Sequence, residues 1–202
     1  MTRFRSCEAG WAYRLRADIP ARGAGLAILL LATLAQAGQI PTPEMRARVR
    51  AVLAHPDSFS DRFEAEVWLT DMGSRLGAQV ADQNTKIDIL TSVHREAGRA
   101  GLPPEMVLAV IDIESAFDPF AISSAGAQGL MQVMPFWRKE LGHRRLVDIH
   151  DNLLMGCTIL KYYYDVEHGD WMKALARYNG SIGRREYPQK VLDRLRTRWF
   201  QQ

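Results

Sequence analysis

Residues 103–135 read PPEMVLAVIDIESAFDPFAISSAGAQGLMQVMP. Two prolines suit the first turn of a helix, where a missing N–H costs nothing. The spacing predicts a helix from Glu105 to about Ala116. Within it Val107, Val110, Ile111 and Glu114 share a face, because seven residues make almost two turns. A carboxyl group on an apolar face is costly to ionise, and burial raises its pKa. A general acid working near neutral pH needs that property. The helix pattern alone also fits plainer roles for Glu114, at the boundary of the core or beside a buried arginine. Asp112, the other acid of this helix, lies about 200° round the axis from Glu114 and is a poor partner for a carboxylate pair.

Signals further along favour the catalytic role. Glu114-Ser115 is followed by Gly126-Ala127-Gln128-Gly129-Leu130-Met131-Gln132-Val133-Met134-Pro135, then by Tyr178-Asn179-Gly180, then by Tyr187-Pro188-Gln189-Lys190-Val191-Leu192. This ordered set, spread over residues 83–192, resembles the lytic transglycosylases of the SLT-domain family. The resemblance implies a mainly α, lysozyme-like domain with a groove for the glycan strands of peptidoglycan. It also implies that Glu114 is the sole catalytic carboxyl group. Protonated, it would donate to the glycosidic oxygen between N-acetylmuramic acid and N-acetylglucosamine. As carboxylate, it would take the proton of the muramic-acid C6 hydroxyl, which closes a 1,6-anhydro ring. A nucleophile within the substrate removes the need for a positioned water, and no cofactor is called for. An ordinary glycosidase needs two carboxyl groups flanking the bond.

The same resemblance assigns the other site positions. Ser123 would hydrogen-bond the muramic-acid substituents, Gln132 and Met134 would line the groove, and the Tyr178 hydroxyl would hold the Glu114 carboxyl group. Ser115 and Asn179 would support the site from behind. Met134 also fits a core position and Ser123 a helix cap. Gly126 and Gly129 read as backbone requirements of a turn. Two features depart from the family pattern. Ile159, followed by Tyr162, Tyr163 and Tyr164, stands near a position where many relatives carry tyrosine, and Gly180-Ser181-Ile182 replaces an alanine-glycine-proline. A goose-type lysozyme-like hydrolase is the nearest enzymatic alternative, and a glycan-binding or assembly module the alternative from another class. Small stand-alone chains of this kind also serve envelope-spanning secretion machinery, which is therefore a candidate partner.

Outward from this stretch the chain reads as helices without a convincing strand. Pro43–His55 predicts a short helix. Ser60 or Asp61 predicts the cap of another to about Gly77, with Phe63, Val67 and Leu69 to Met72 as its apolar contacts. Asp82 opens the next, whose apolar face is Ile87, Leu90, Val93 and Ala97. Later helices are expected over Asp151–His168, Asp170–Tyr178 and from Pro188. Three parts follow: an export signal over residues 1–37, a helical extension over 38–80 and the SLT-type domain over 81–202.

The export reading rests on Arg3, Arg5, Arg14, Arg16 and Arg22, the 12-residue apolar stretch Ala24–Ala35 and the small pair Ala35 and Ala37. A membrane span needs roughly 20 apolar residues. The pattern therefore describes a secretory signal cut after Ala37, with a periplasmic destination, rather than an anchor or a buried helix. The signal carries five of the 26 basic and two of the 23 acidic residues, leaving 21 of each and no net charge. The basic pI thus says nothing of nucleic acid, and none is expected as a partner. Cys157, among leucines and isoleucines, reads as an inert core residue. His55, His94, His143, His150 and His168 show no metal-ligand spacing, and no metal is expected. Asn179-Gly180-Ser181 spells a glycosylation acceptor by coincidence. Arg184, Arg185, Lys190, Arg194, Arg196 and Arg198 read first as a solvated face and second as a contact for acidic wall peptides.

Overall fold

The computed structural model describes residues 62–141 and 145–200. The export segment, the Pro43–His55 helix and the cap at Ser60 or Asp61 lie outside the described residues, as does the side chain of Phe63. Among the described residues six α-helices follow one another: α1 (Arg62–Leu76), α2 (Gln83–Ala100), α3 (Pro104–Glu114), α4 (Ile149–Val166), α5 (Trp171–Asn179) and α6 (Glu186–Arg194). A 3-10 segment, Pro135–Leu141, precedes α4, and a π turn, Leu195–Trp199, continues α6. Among the described residues there is no strand, only isolated bridges from Gln128 to Ile122 and to Val133. The protein is mainly helical, as its sequence indicates.

α3 is the central element. Met106 to Ile111 are all buried, so the helix is enclosed on every side rather than amphipathic. α2, α6 and the π turn pack round it. It stops at Glu114, two residues before the expected end, because Ala116 and Phe117 adopt left-handed backbone with φ of 49° and 67°. The side-chain caps follow the sequence closely. Asp82 accepts from Thr85 N, Asp148 from Asp151 N and Asp170 from Lys173 N, each satisfying an otherwise unpaired helix-start donor.

Two predicted core positions are corrected. Val67 is 50% exposed and Ile87 57%, whereas Trp68, Met72 and Leu76 on α1 and Ile89, Leu90, Val93 and Ala97 on α2 are buried. On α1 the buried residues recur every four positions, and Val67 lies one residue out of phase with them. Through Trp68, which donates to Glu105 at 2.7 Å, and through Met72 and Leu76, α1 shares one core with the rest of the fold.

The C-terminal basic cluster is not wholly a solvated face. Asp112 is buried on the side of α3 away from Glu114. Its Oδ2 accepts from Trp199 Nε1 at 3.0 Å, Arg198 Nη1 at 2.9 Å and Arg194 Nη1 at 3.4 Å. Arg198 also lies over the Trp199 ring, 4.6 Å from its centroid, and donates to the Arg75 carbonyl. One buried carboxylate therefore ties the chain's last turn to its central helix. Cys157 is buried as expected, and burial raises its thiol pKa, keeping it in the inert form. Asp112→Ala removes the acceptor of four side-chain donors, Gln79 Nε2 at 3.4 Å being the fourth, and is expected to cost about 3 kcal/mol or more. Arg196→Ala, which removes an exposed pair with Asp193, is expected to cost less than about 0.5 kcal/mol. Urea unfolding of the two variants checks the contrast.

Candidate active site

Glu114 ends α3 at a narrow cleft of about 30 Å³. The cleft is lined by Glu114, Gln132, Val133, Met134, Trp137, Ile159, Tyr178 and Asn179, so the central helix, the loop after it, α4 and α5 all contribute. Glu114 is half-buried, and its carboxyl pKa is raised from 4.5 to about 7. Burial is the main cause. A hydrogen bond from the Tyr187 hydroxyl to Glu114 Oε1, at 2.5 Å, acts in the opposite sense by favouring the carboxylate. The Tyr187 pKa is itself raised well above 10 by burial and by the neighbouring Glu114, so the phenol remains a donor.

The loop facing Glu114 is held carbonyl by carbonyl. The Gln128 oxygen accepts from Asn152 Nδ2, the Gly129 oxygen from Gln132 Nε2, the Leu130 oxygen from Ser115 Oγ, and the Met131 oxygen from the Tyr178 hydroxyl, at 2.7–2.9 Å. Asn152 is fully buried on α4. Its Nδ2 also donates to the Leu146 carbonyl at 2.6 Å, and its Oδ1 accepts from Met131 N at 2.8 Å. The contact is so close that a Cβ at Gly129, where φ is 76°, would lie 2.3 Å from the Leu146 oxygen and 2.4 Å from Asn152 Nδ2. A Cβ at Gly156 would lie 2.3 Å from the Met131 sulfur. Both positions exclude a side chain.

Backbone strain gathers here as well. Ala116, Phe117 and Gln132 all have positive φ, a costly conformation for residues with a Cβ. Phe117 is held by packing 5.4 Å from the Trp199 ring, and Gln132 by its two side-chain bonds to the Ala121 and Gly129 carbonyls.

The sequence-assigned residues thus separate. Gln132, Met134, Tyr178 and Asn179 come together round Glu114. Ser115 sits behind the loop and supports it. Ser123 is not among the cleft-lining residues, and its Oγ accepts from Ala127 N at 3.0 Å to close its own turn. The expected role of Tyr178 is corrected: its hydroxyl has one proton, and that proton goes to the Met131 carbonyl. The tyrosine that donates to Glu114 is Tyr187. Its position at the head of the fourth motif, four residues before buried Val191, signalled an inward-facing phenol in need of a polar partner. In the sequence Ile159 stands out only as a departure from the family pattern, and Asn152 and Trp137 carry no signal. Among the described residues no cluster of His, Cys, Asp and Glu could hold a metal ion, and no helix is long and apolar enough to cross a membrane.

The family model described as the transglycosylase SLT domain matches residues 92–195, and the chain belongs to that family. A transglycosylase of Enterobacteria phage PRD1 is 35% identical over 98 residues, 45% of this chain and 37% of that protein. The membrane-bound lytic murein transglycosylase C of Actinobacillus pleuropneumoniae is 48% identical over 46 residues, 23% of this chain and 13% of that protein. A solved structure of an inactive mutant of the lytic transglycosylase Slt from Pseudomonas aeruginosa is 26% identical, with a TM-score of 0.47, over 52% of this chain and 23% of that one. The matched stretches make up less than two fifths of each of these relatives.

Two predictions follow from the carboxyl group's surroundings. Tyr187→Phe removes the hydrogen bond that favours the carboxylate, so the Glu114 pKa is expected to rise further above about 7, read by carbon-13 NMR titration. Glu114 ionises less readily in the folded chain than in the unfolded one. Its contribution to stability is therefore complete below about pH 4.5 and is lost as pH rises to about 7. Glu114→Gln escapes that loss and is expected to be about 2–3 kcal/mol more stable than the parent above pH 7, with the gap closing toward pH 4.5 in denaturant titrations.

Proposed function

We propose that the protein is a peptidoglycan lytic transglycosylase that cleaves the β-1,4 bond between N-acetylmuramic acid and N-acetylglucosamine and leaves 1,6-anhydro-muramic ends. The observation that carries this reading is a single carboxyl group, Glu114, with a pKa of about 7, at a cleft whose lining includes no other acid. The nearest acid on α3, Asp112, is committed to Trp199 and Arg198 on the other side of the helix.

Neutral Glu114 protonates the leaving glycosidic oxygen as the bond to muramic C1 breaks. The resulting carboxylate then accepts the C6 hydroxyl proton while that oxygen bonds to C1. The proton count closes and the acid is regenerated without water. Internal attack gains the orientation that an outside nucleophile would have to acquire. Tyr187 holds the carboxyl group through both proton transfers and stabilises its anionic form between them. Gln132 offers its amide oxygen and Asn179 its amide to the sugars, and Met134 and Ile159 form an apolar wall. Tyr178 and Ser115 keep the loop carbonyls in place, and Ser123 remains the contact for the muramic substituents. No step calls on a metal or cofactor. Export through residues 1–37 to the periplasm fits this substrate, and an envelope-spanning secretion machine that must open the wall fits as a partner.

Mass spectrometry of the products released from purified sacculi tests the reading. Soluble fragments ending in 1,6-anhydro-muramic acid are expected, and free reducing ends would identify a hydrolase instead. Glu114→Gln is expected to lower turnover by at least about a thousandfold while strand binding is retained. Because the acid must be protonated to start the reaction, the rate for the parent enzyme is expected to fall as pH rises above about 7.

A further inference from the structure

A second, larger concavity of about 580 Å³ lies against α5, framed by the turn after α4 and by the loop after α5. Two ion pairs occupy part of its wall: Arg177 with Glu167, and Lys173 with Asp170 at 3.3 Å. The guanidinium groups of Arg184 and Arg185 are different. Both residues are exposed, and neither side chain has a hydrogen-bond or ion-pair partner among the described residues. Beside them Ile182 is 67% exposed. Four cations and two carboxylates line the concavity, which leaves it net positive in a chain that is neutral outside its leader.

The loop carrying these residues is well defined. Gly180 caps α5 with φ of 76°, Ser181 N bonds back to the Ala176 carbonyl at 2.7 Å, and Arg184 N bonds to the Ser181 carbonyl at 2.9 Å. The loop's position relative to the cleft is fixed by α5. Arg177 lines the concavity, while Tyr178 and Asn179, the next two residues, line the cleft. One helix, α5, therefore lines both openings with consecutive residues.

We propose that this concavity is a specificity site for peptide stems, in which Arg184 and Arg185 bind stem carboxylates and Ile182 packs against the stem's aliphatic carbons. The proposal rests on the reading of the protein as a peptidoglycan-cleaving enzyme. Arginine suits the task, because its planar fork pairs with a carboxylate through two parallel hydrogen bonds. An exposed pair of this kind is weak alone. A stem tethered to a strand already bound next door arrives at high effective concentration, so weak contacts suffice to select it.

The test compares soluble strands that keep their stems with strands stripped by an amidase, which retain the free lactyl carboxylate of the muramic acid. Arg184→Ala/Arg185→Ala is expected to raise KM about tenfold on stem-bearing strands, with kcat within about twofold. It is expected to leave both constants unchanged on stripped strands. Arg184→Glu/Arg185→Glu is expected to raise KM further on the stem-bearing substrate only. An equal loss on both substrates would overturn the proposal, moving the contact to the lactyl carboxylate or the sugars, and no loss on either would also overturn it. Binding of labelled strands by the Glu114→Gln protein separates this site from the catalytic reading. If no parent activity is found, a stem-dependent, salt-sensitive affinity that vanishes on adding the double substitution still supports the site. Equal affinity for the two kinds of strand would overturn it.

Discussion

The side chain of Asn152 makes three hydrogen bonds inside the core, to the Gln128 and Leu146 carbonyls and from Met131 N, and the geometry of the cleft depends on them. A buried amide is tolerable only when its donors and acceptor are matched, and this one is. It joins α4 to a loop that has almost no regular structure of its own. The absence of a Cβ at Gly129 and Gly156 lets the two backbones come close enough for those bonds to form. Ser115 and Tyr178 complete the arrangement from α3 and α5. The loop is thus fixed by side chains from three helices, and the strained φ at Gln132 persists because its Nε2 donates to two loop carbonyls.

Opposing effects set the properties of Glu114. Withdrawal from water drives its carboxyl group toward the neutral form, and the Tyr187 hydroxyl draws it part of the way back. The balance near pH 7 is what the proposed acid-then-base role of Glu114 calls for. That balance depends on where α6 lies, because α6 carries Tyr187. Asp112, on the far side of α3, holds the continuation of α6 through Arg194, Arg198 and Trp199. Two acids two residues apart therefore serve opposite faces of one helix, one facing the chemistry and one keeping its support in register.

Much of this was legible in the sequence because it depends on local chemistry. Asp82 and Asp170 cap the helices they were expected to start, since a short carboxylate at that position satisfies a backbone N–H wherever the helix lies. By contrast, α4 begins at Ile149 behind Asp148 rather than at the expected Asp151. Glu114, Gln132, Met134, Tyr178 and Asn179 meet at one cleft because the ordered motifs that mark the family carry its fold with them. Phase errors at Val67 and Ile87 arose where hydrophobicity alone leaves two neighbouring faces nearly equivalent. The choice between them belongs to the partner helix. Asn152 was silent because a single buried asparagine looks like any other until its carbonyl partners are known.

The sequence by itself determined the helical class and the family, and it singled out Glu114 as the candidate acid, since each is written in spacing and in side-chain chemistry that act over a few residues. Only the tertiary structure decided which tyrosine serves Glu114. Tyr178 and Tyr187 are both half-buried phenols beside the same carboxyl group, and the packing of α5 and α6 sends one proton to the Met131 carbonyl and the other to Glu114. It also decided that Arg194 and Arg198 turn inward to Asp112 while Arg184 and Arg185 stay in water. Charge pairing over more than 80 residues of chain depends on where helices come to rest, and no local pattern encodes that.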